Sequence, residues 1–301
     1  MTSDRVPPIR YANDLTVLLD TVLGEDRFPV DVPAIAMEIS RQKFPDDPIA
    51  VVKGDRLPGF DGALYRAPLG KKGWGIFYNS AITSKGRINF TLGHEFGHYL
   101  LHRMDFPKGQ RGIECGDRDI LHWNSEFGKI EAEANIFAAY LLMPLHDFRR
   151  QISADDRPNL EVLSNCAERY SVSLVAAILR WLEYTTKRAI LVVSRDGFIW
   201  WSRSSAAAMK SGAFFRTSGS PITVPAASLV GRQDKLIDGR VGIDLPAGVW
   251  LNEEVREMTI FADQYDFAVS VLLLPDYHGP VWQKDDADVL LDTHQRFQTR
   301  R

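Results

Sequence analysis

Apolar and polar positions along the chain change period several times, and each change predicts a change of element. From about Asp14 to Leu23 apolar residues fall three and four apart, which predicts a helix. A second helix is expected to begin near Asp31, with Pro33 in its first turn. Between Pro45 and Ile82 the pattern becomes short β-rich runs broken by Gly and Pro, so strands are predicted, the last from roughly Gly73 to Ile82. A short basic turn (Thr83 to Arg87) then leads into FTLGHEFGHYLLH, Phe90 to His102. Its Phe90, Leu92, Phe96, Leu100 and Leu101 anchor a predicted helix that Thr91 could cap. Periodicity dissolves in RMDFPKGQRGIECGDRDILHW, expected to be a long loop. It returns in SEFGKIEAEANIFAAYLLMP, where Ile130, Ala134, Phe137 and Leu141 should face a core and Pro144 should end the helix.

A helical pair follows over about 159–186 and has the outline of a helix-turn-helix. Its second helix is apolar at Leu174, Val175, Ala176, Ile178, Leu179 and Trp181, which favours packing against the preceding helices over reading DNA. Near Arg188 the character becomes β-rich. AILVVSRDGFIWWSRS carries an Asp196-Gly197 turn between two strand-like runs, a hairpin signal, and further runs occur at GAFFR, GVWLN, REMTIFA and FAVSVLLL. The expected organisation is an α+β chain: a mostly helical domain with a small sheet (1–187), a smaller β-rich domain (188–275) and a polar tail (276–301) with one short helix near Asp285 to Phe297. Trp200 and Trp201 are adjacent, so on a strand one of them must leave the core face, and that ring is the candidate for a ligand or interdomain contact.

Composition narrows the class. At 301 residues, with 45% hydrophobic and 25% charged positions, the chain reads as a globular protein able to bury a sizeable core. A net charge of -3 leaves no electrostatic footprint for nucleic acid or an anionic membrane. The apolar runs are too short to span a bilayer, the amino terminus has no secretory core, and two cysteines suit a reducing cytosol. A cytoplasmic location is therefore expected.

Chemistry concentrates in H-E-x-x-H. On a helix His94 and His98 share a face one turn apart and can reach one metal ion, while Glu95 flanks that ion and can act as the base for an attacking water. The same two histidines with a carboxylate could hold Fe(II) for oxygen chemistry, but an oxygenase needs no base at Glu95. A hydrolytic site needs a third protein ligand. His102 faces the right way but lies a further turn along, so a structural role is expected for it. Glu131 and Glu133 are the carboxylate candidates, and they point apart because two residues advance a helix by about 200°. Glu131 shares its face with Asn135, which could orient a ligand from behind; Glu133 is expected in an ion pair. The spacing alone selects neither glutamate. Cys115, in the predicted loop, could serve as a thiolate latch, although a packed thiol is the simpler reading.

FTLGHEFGHYLLH followed by IEAEANIFAAYLLMP is similar to the signature of the ImmA/IrrE family of intracellular metallopeptidases, F-T-x-x-H-E-x-x-H and then E-x-E-A-N-x-F-A-A-x-L-L-M-P. The resemblance covers about Ile76 to Pro144, including FYNSAI. It implies a zincin-like, gluzincin-like domain with His94, His98 and Glu131 as metal ligands, Glu95 as catalytic base, and Zn2+ (or Mn2+) as the metal. The implied activity is cleavage of a protein substrate, a helix-turn-helix transcriptional repressor, which would release stress-response or mobile-element genes. The amino-terminal DNA-binding module of some members is not expected here, and the β-rich region resembles only weakly the sensor-like extension of others. A non-proteolytic sensor that keeps the fold, or another metal-dependent hydrolase, is the alternative. The substrate is expected to lie as an extended strand beside Gly73 to Ile82, taken as a sheet edge.

Overall fold

A computed structural model describes residues 6–68, 70–105, 112–115, 126–217, 219–232, 238–262 and 266–277. The chain is mixed α and β. It divides into two compact units, Met1–Asp147 with Glu168–Ser173, and Phe148–Ala167 with Leu174–Arg301. The helices expected in the first domain after residue 147 thus group mostly with the β-rich region. The tail helix expected near 285–297 lies outside the described residues.

The first unit opens with α1 (Pro8–Leu23) and α2 (Val32–Lys43). Pro8 starts α1, where its missing N–H costs no helical hydrogen bond. Asp31 caps α2 by accepting from the backbone N–H of Ala34. Then come β1 (Ile49–Asp55), β2 (Gly62–Arg66), β3 (Trp74–Asn79), α3 (Lys85–His102), β4 (Gly112–Cys115) and α4 (Glu126–Leu142). The four strands form one sheet in the order β1-β3-β2-β4, with β1 parallel to β3 and the other pairs antiparallel. One expectation is corrected here. The strand at 74–79 is no edge: it is hydrogen-bonded on both sides, and Trp74, Gly75 and Ile76 are consecutively buried, as an interior strand requires. Among the described residues the edges are β1 and β4. Part of the predicted 103–123 loop is strand β4; 106–111 and 116–123 lie outside the described residues, as does the Cys115 side chain.

The core of this unit sits where α3 crosses α4 and lies on β2 and β3, with Phe96, Tyr99, Phe137 and Leu141 fully buried. Ala134, Phe137 and Leu141 face it as their spacing predicts, while Ile130 is half-buried.

The chain enters the second unit within α5 (Leu145–Gln151) and adds α6 (Leu160–Tyr170) and α7 (Leu174–Leu182). β5 (Ala189–Arg195), β6 (Phe198–Ser204), α8 (Ala206–Lys210), β7 (Ile222–Thr223), α9 (Leu229–Arg232), β8 (Ile243–Leu245), β9 (Val255–Ala262) and β10 (Phe267–Leu273) complete it. The sheet is antiparallel, ordered β7-β6-β5-β10-β9-β8. Asp196 and Gly197 both have positive φ (52° and 78°) at the predicted hairpin. α7 packs against β5, both faces of which are apolar and need cover. GAFFR and GVWLN are not strands. They run irregularly across the other sheet face, where Ala213, Phe215, Trp250 and Leu251 join the core. Trp201 is buried and Trp200 half-buried; Trp200 is the extra residue of a bulge, between Ile199 and Trp201, which stand opposite Ser194 and Val193.

Candidate metal centre

Helix α3 begins five residues before Phe90. Ser84 caps it by accepting from the N–H of Arg87, so the expected basic turn is the first helical turn. Arg87 also clamps Asp61 with two charge-assisted hydrogen bonds of 2.6 and 2.8 Å, fixing the start of α3 to the entry of β2. Thr91, expected as the cap, is instead buried mid-helix. Where α3 crosses α4, small residues face each other: Gly97 opposes Ala134, and Gly93 opposes Ala138. A Cβ at Gly97 would stand 3.1 Å from Phe137 Cδ1 and 3.2 Å from the Ala134 Cα. The close crossing lets side chains of α4 reach the histidine face of α3.

Glu131 Oε2 lies 3.2 Å from His94 Nε2, Glu131 Oε1 lies 3.0 Å from His98 Nε2, and the two Nε2 atoms are 2.9 Å apart. On the far side of His94, Nδ1 lies 2.9 Å from Asn135 Oδ1. His98 Nδ1 lies 3.2 Å from His102 Nδ1, and His102 Nε2 lies 2.9 Å from Glu133 Oε2. The two glutamates that diverge on α4 therefore both reach α3, at different turns.

The electrostatics follow from burial and crowding. Burial pulls His94 down, but the adjacent Glu131 carboxylate outweighs it and raises the ring, with help from Glu95 and Asn135. His98 is lowered to about 4, first by burial and then by the neighbouring His94. Glu131 is held well below the usual carboxylate range: burial alone would raise it, but hydrogen bonds from both histidines prevail. Glu95 is fully buried against Gly62, the first residue of β2. A Cβ at Gly62 would stand 2.7 Å from Glu95 Oε1 and 2.5 Å from Thr91 Cγ2.

The chemistry of the donor set fits a metal ion. Two imidazole nitrogens and a carboxylate oxygen lie within 4.8 Å of one another. Tetrahedral ligands on bonds of roughly 2.0–2.1 Å would stand about 3.3 Å apart, a few tenths from the spacings seen here. Residues 48–182 match the family model for the IrrE N-terminal-like domain of M78 peptidases. This region belongs to the ImmA/IrrE family. No curated protein compared by sequence matches the chain. By fold it is similar to a solved structure described as a Mycobacterium tuberculosis transcriptional regulator, with a TM-score of 0.50 and 16% identity, covering 88% of this chain and 76% of that one. At that identity the likeness is one of fold alone.

The structure brings His94, His98 and Glu131 of the IrrE-like domain to one point, and places Glu95 on the same helix within electrostatic reach of His94. The sequence reading did not find Gly62, whose role exists only through a contact between a strand and a helix. Nor did it pair His102 with Glu133. Their spacing to the metal motif (E-x-E, and a third His one turn on) was the available signal. Among the described residues, no helix is long and apolar enough to cross a membrane.

Proposed function

We propose that the chain is a zincin-like, gluzincin-like endopeptidase holding Zn2+ on His94, His98 and Glu131, with Glu95 as general base. The contacts of 2.9–3.2 Å that link the two Nε2 atoms to each other and each to one Glu131 oxygen carry this reading. When bound, such an ion lowers the pKa of a coordinated water and polarises the scissile carbonyl. The protein's part is positional. Glu95, one residue from His94, takes the proton of the attacking water and returns it to the leaving amine. Packing of Glu95 on Gly62 fixes where that carboxylate stands, and Asn135 holds His94 through Nδ1 so that Nε2 faces the centre.

The substrate runs as an extended segment along β4. Among the described residues β4 is paired only with β2, and its Cys115 lies opposite Gly62, the residue on which Glu95 packs. From the family resemblance, the substrate is a transcriptional repressor cut in an exposed linker, because a folded core presents no extended backbone. Amino-terminal peptide mapping of cells carrying wild-type protein or Glu95→Gln tests this. New termini in a regulatory protein are expected only with wild type. Identical maps from the two would support a non-proteolytic sensor instead.

A further inference from the structure

Behind His98 runs a chain of polar contacts that the proposed catalytic set does not use. His98 Nδ1 is 3.2 Å from His102 Nδ1, and His102 Nε2 is 2.9 Å from Glu133 Oε2. His98 and His102 are fully buried, while the Glu133 side chain is 41% exposed. Three histidines thus stand one turn apart on α3, with ring centroids 4.5 and 5.2 Å apart.

Hydrogen count gives the chain a direction. A carboxylate only accepts, so His102 Nε2 carries a hydrogen and donates to Glu133. In the neutral ring Nδ1 is then bare, and its lone pair faces His98. Two bare nitrogens at this distance would repel, so His98 Nδ1 carries the next hydrogen and donates to His102. That leaves His98 Nε2 bare toward Glu131 and the His94 ring, a lone pair that would be relieved of its neighbours' repulsion only by the metal ion these three residues would hold. His94 reaches the same tautomer by a shorter route, donating from Nδ1 to Asn135 Oδ1.

We propose that His102 and Glu133 are positioning residues that hold His98 in its metal-ligating tautomer and orientation. The inference rests on the reading of His94, His98 and Glu131 as a metal centre. It assigns the two polar residues of the motif region that chemistry had left over: the third histidine of the stripe, and the second glutamate of E-x-E. The arrangement reaches from the buried ligand to the surface, ending on a carboxylate that stays hydrated and supplies a fixed acceptor without burying a bare charge. Partners of this kind typically contribute 10–100-fold to metal affinity.

The test measures Zn2+ affinity by chelator competition for wild type, His102→Phe, His102→Asn and Glu133→Ala, with folding checked by circular dichroism. Phenylalanine fills the ring's space without an acceptor; asparagine offers Oδ1 near the position of Nδ1. Affinity should fall about 10–100-fold in His102→Phe, recover most of the way in His102→Asn, and fall by a smaller factor in Glu133→Ala. In Zn2+-loaded wild type labelled with 15N-histidine, a nitrogen–nitrogen coupling across the His98–His102 hydrogen bond should be seen. Should His102→Phe fail to fold, Glu133→Ala and the wild-type coupling decide. Wild-type affinity in the folded variants, or no coupling across the bond, overturns the inference while leaving the metal centre standing. A wild-type protein that takes up no Zn2+ overturns the metal centre itself, and this inference with it.

Discussion

Gly62→Ala isolates the contact between β2 and the proposed base. The new methyl would stand 2.5 Å from Thr91 Cγ2 and 2.7 Å from Glu95 Oε1, where carbon contacts settle at about 3.5–4.0 Å. Something must therefore move by about 1 Å. Overpacking of this kind costs about 1–3 kcal/mol, and replacing a strand glycine returns about 0.5–1 kcal/mol, so a net loss of up to about 2.5 kcal/mol is expected. Glu95 is the movable partner, since Thr91 is short and held in the helix. A 1 Å displacement at a reacting group costs about 10²-fold in rate. Metal affinity should be nearly unchanged, because the nearest atoms belong to Thr91 and Glu95 and not to His94, His98 or Glu131. Urea unfolding, chelator competition and turnover of a peptide spanning the mapped scissile bond read the three quantities separately. Adding Thr91→Ser removes the Cγ2 contact but not the one on Glu95, so the double variant should regain stability and not activity. A Gly62→Ala protein that cleaves at the wild-type rate, or a double variant that regains both, would refute the argument.

Three other perturbations have defined outcomes. His94→Ala, His98→Ala and Glu131→Ala should each lose the metal, while Glu95→Gln keeps it and loses cleavage by about 10²–10⁴-fold; full occupancy in Glu131→Ala by elemental analysis would move the third-ligand role elsewhere. Glu257→Ala should destabilise the second unit by about 3–5 kcal/mol. The buried carboxylate accepts from the N–H groups of Leu229 and Val230, the Trp250 indole and the Thr259 hydroxyl, all left without their acceptor, and a urea midpoint unchanged from wild type would contradict this. Asp147 would be raised by burial, but its hydrogen bonds from Arg169 and Tyr170 lower it below its usual 3.8. It therefore stabilises fully above pH 3.8 and loses that contribution as pH falls through the folded-state value; the gap between wild type and Asp147→Asn in urea should be wide at pH 6 and narrow toward pH 3.

What was legible in the sequence was whatever depends on neighbours along the chain. The helical register of His94 and His98 follows from a four-residue spacing, and the buried stripe Ala134, Phe137 and Leu141 from the same period. The Asp196-Gly197 hairpin needed only the tolerance of those residues for positive φ. The cap at Ser84 is local too, but it is followed by Lys85, Gly86 and Arg87, which show no apolar period, so the pattern alone predicts a later start for the helix. Edge and interior strands cannot be told apart this way. β3 owes its interior place to β1 on one flank and β2 on the other, a pairing decided by chain crossings. GAFFR and GVWLN have strand composition, yet composition cannot report whether a partner strand stands beside them.

The two glutamates of α4 show where local geometry stops being enough. A turn of about 200° between Glu131 and Glu133 holds for their Cβ atoms and argues that only one of them can face α3. α3, however, is 18 residues long and offers histidines at three successive turns, so α4 meets a row of imidazole nitrogens along its crossing. Glu131 reaches the first two, and Glu133 reaches around its own helix to the third. The glycine and alanine contacts at 93, 97, 134 and 138 make this possible by bringing the helices close enough for a side chain on the flank to span the gap. Enlarging any of these four would move both carboxylates together. The E-x-E spacing and the small residues at the crossing are thus one device, in which helix approach sets which turn of histidines each carboxylate meets.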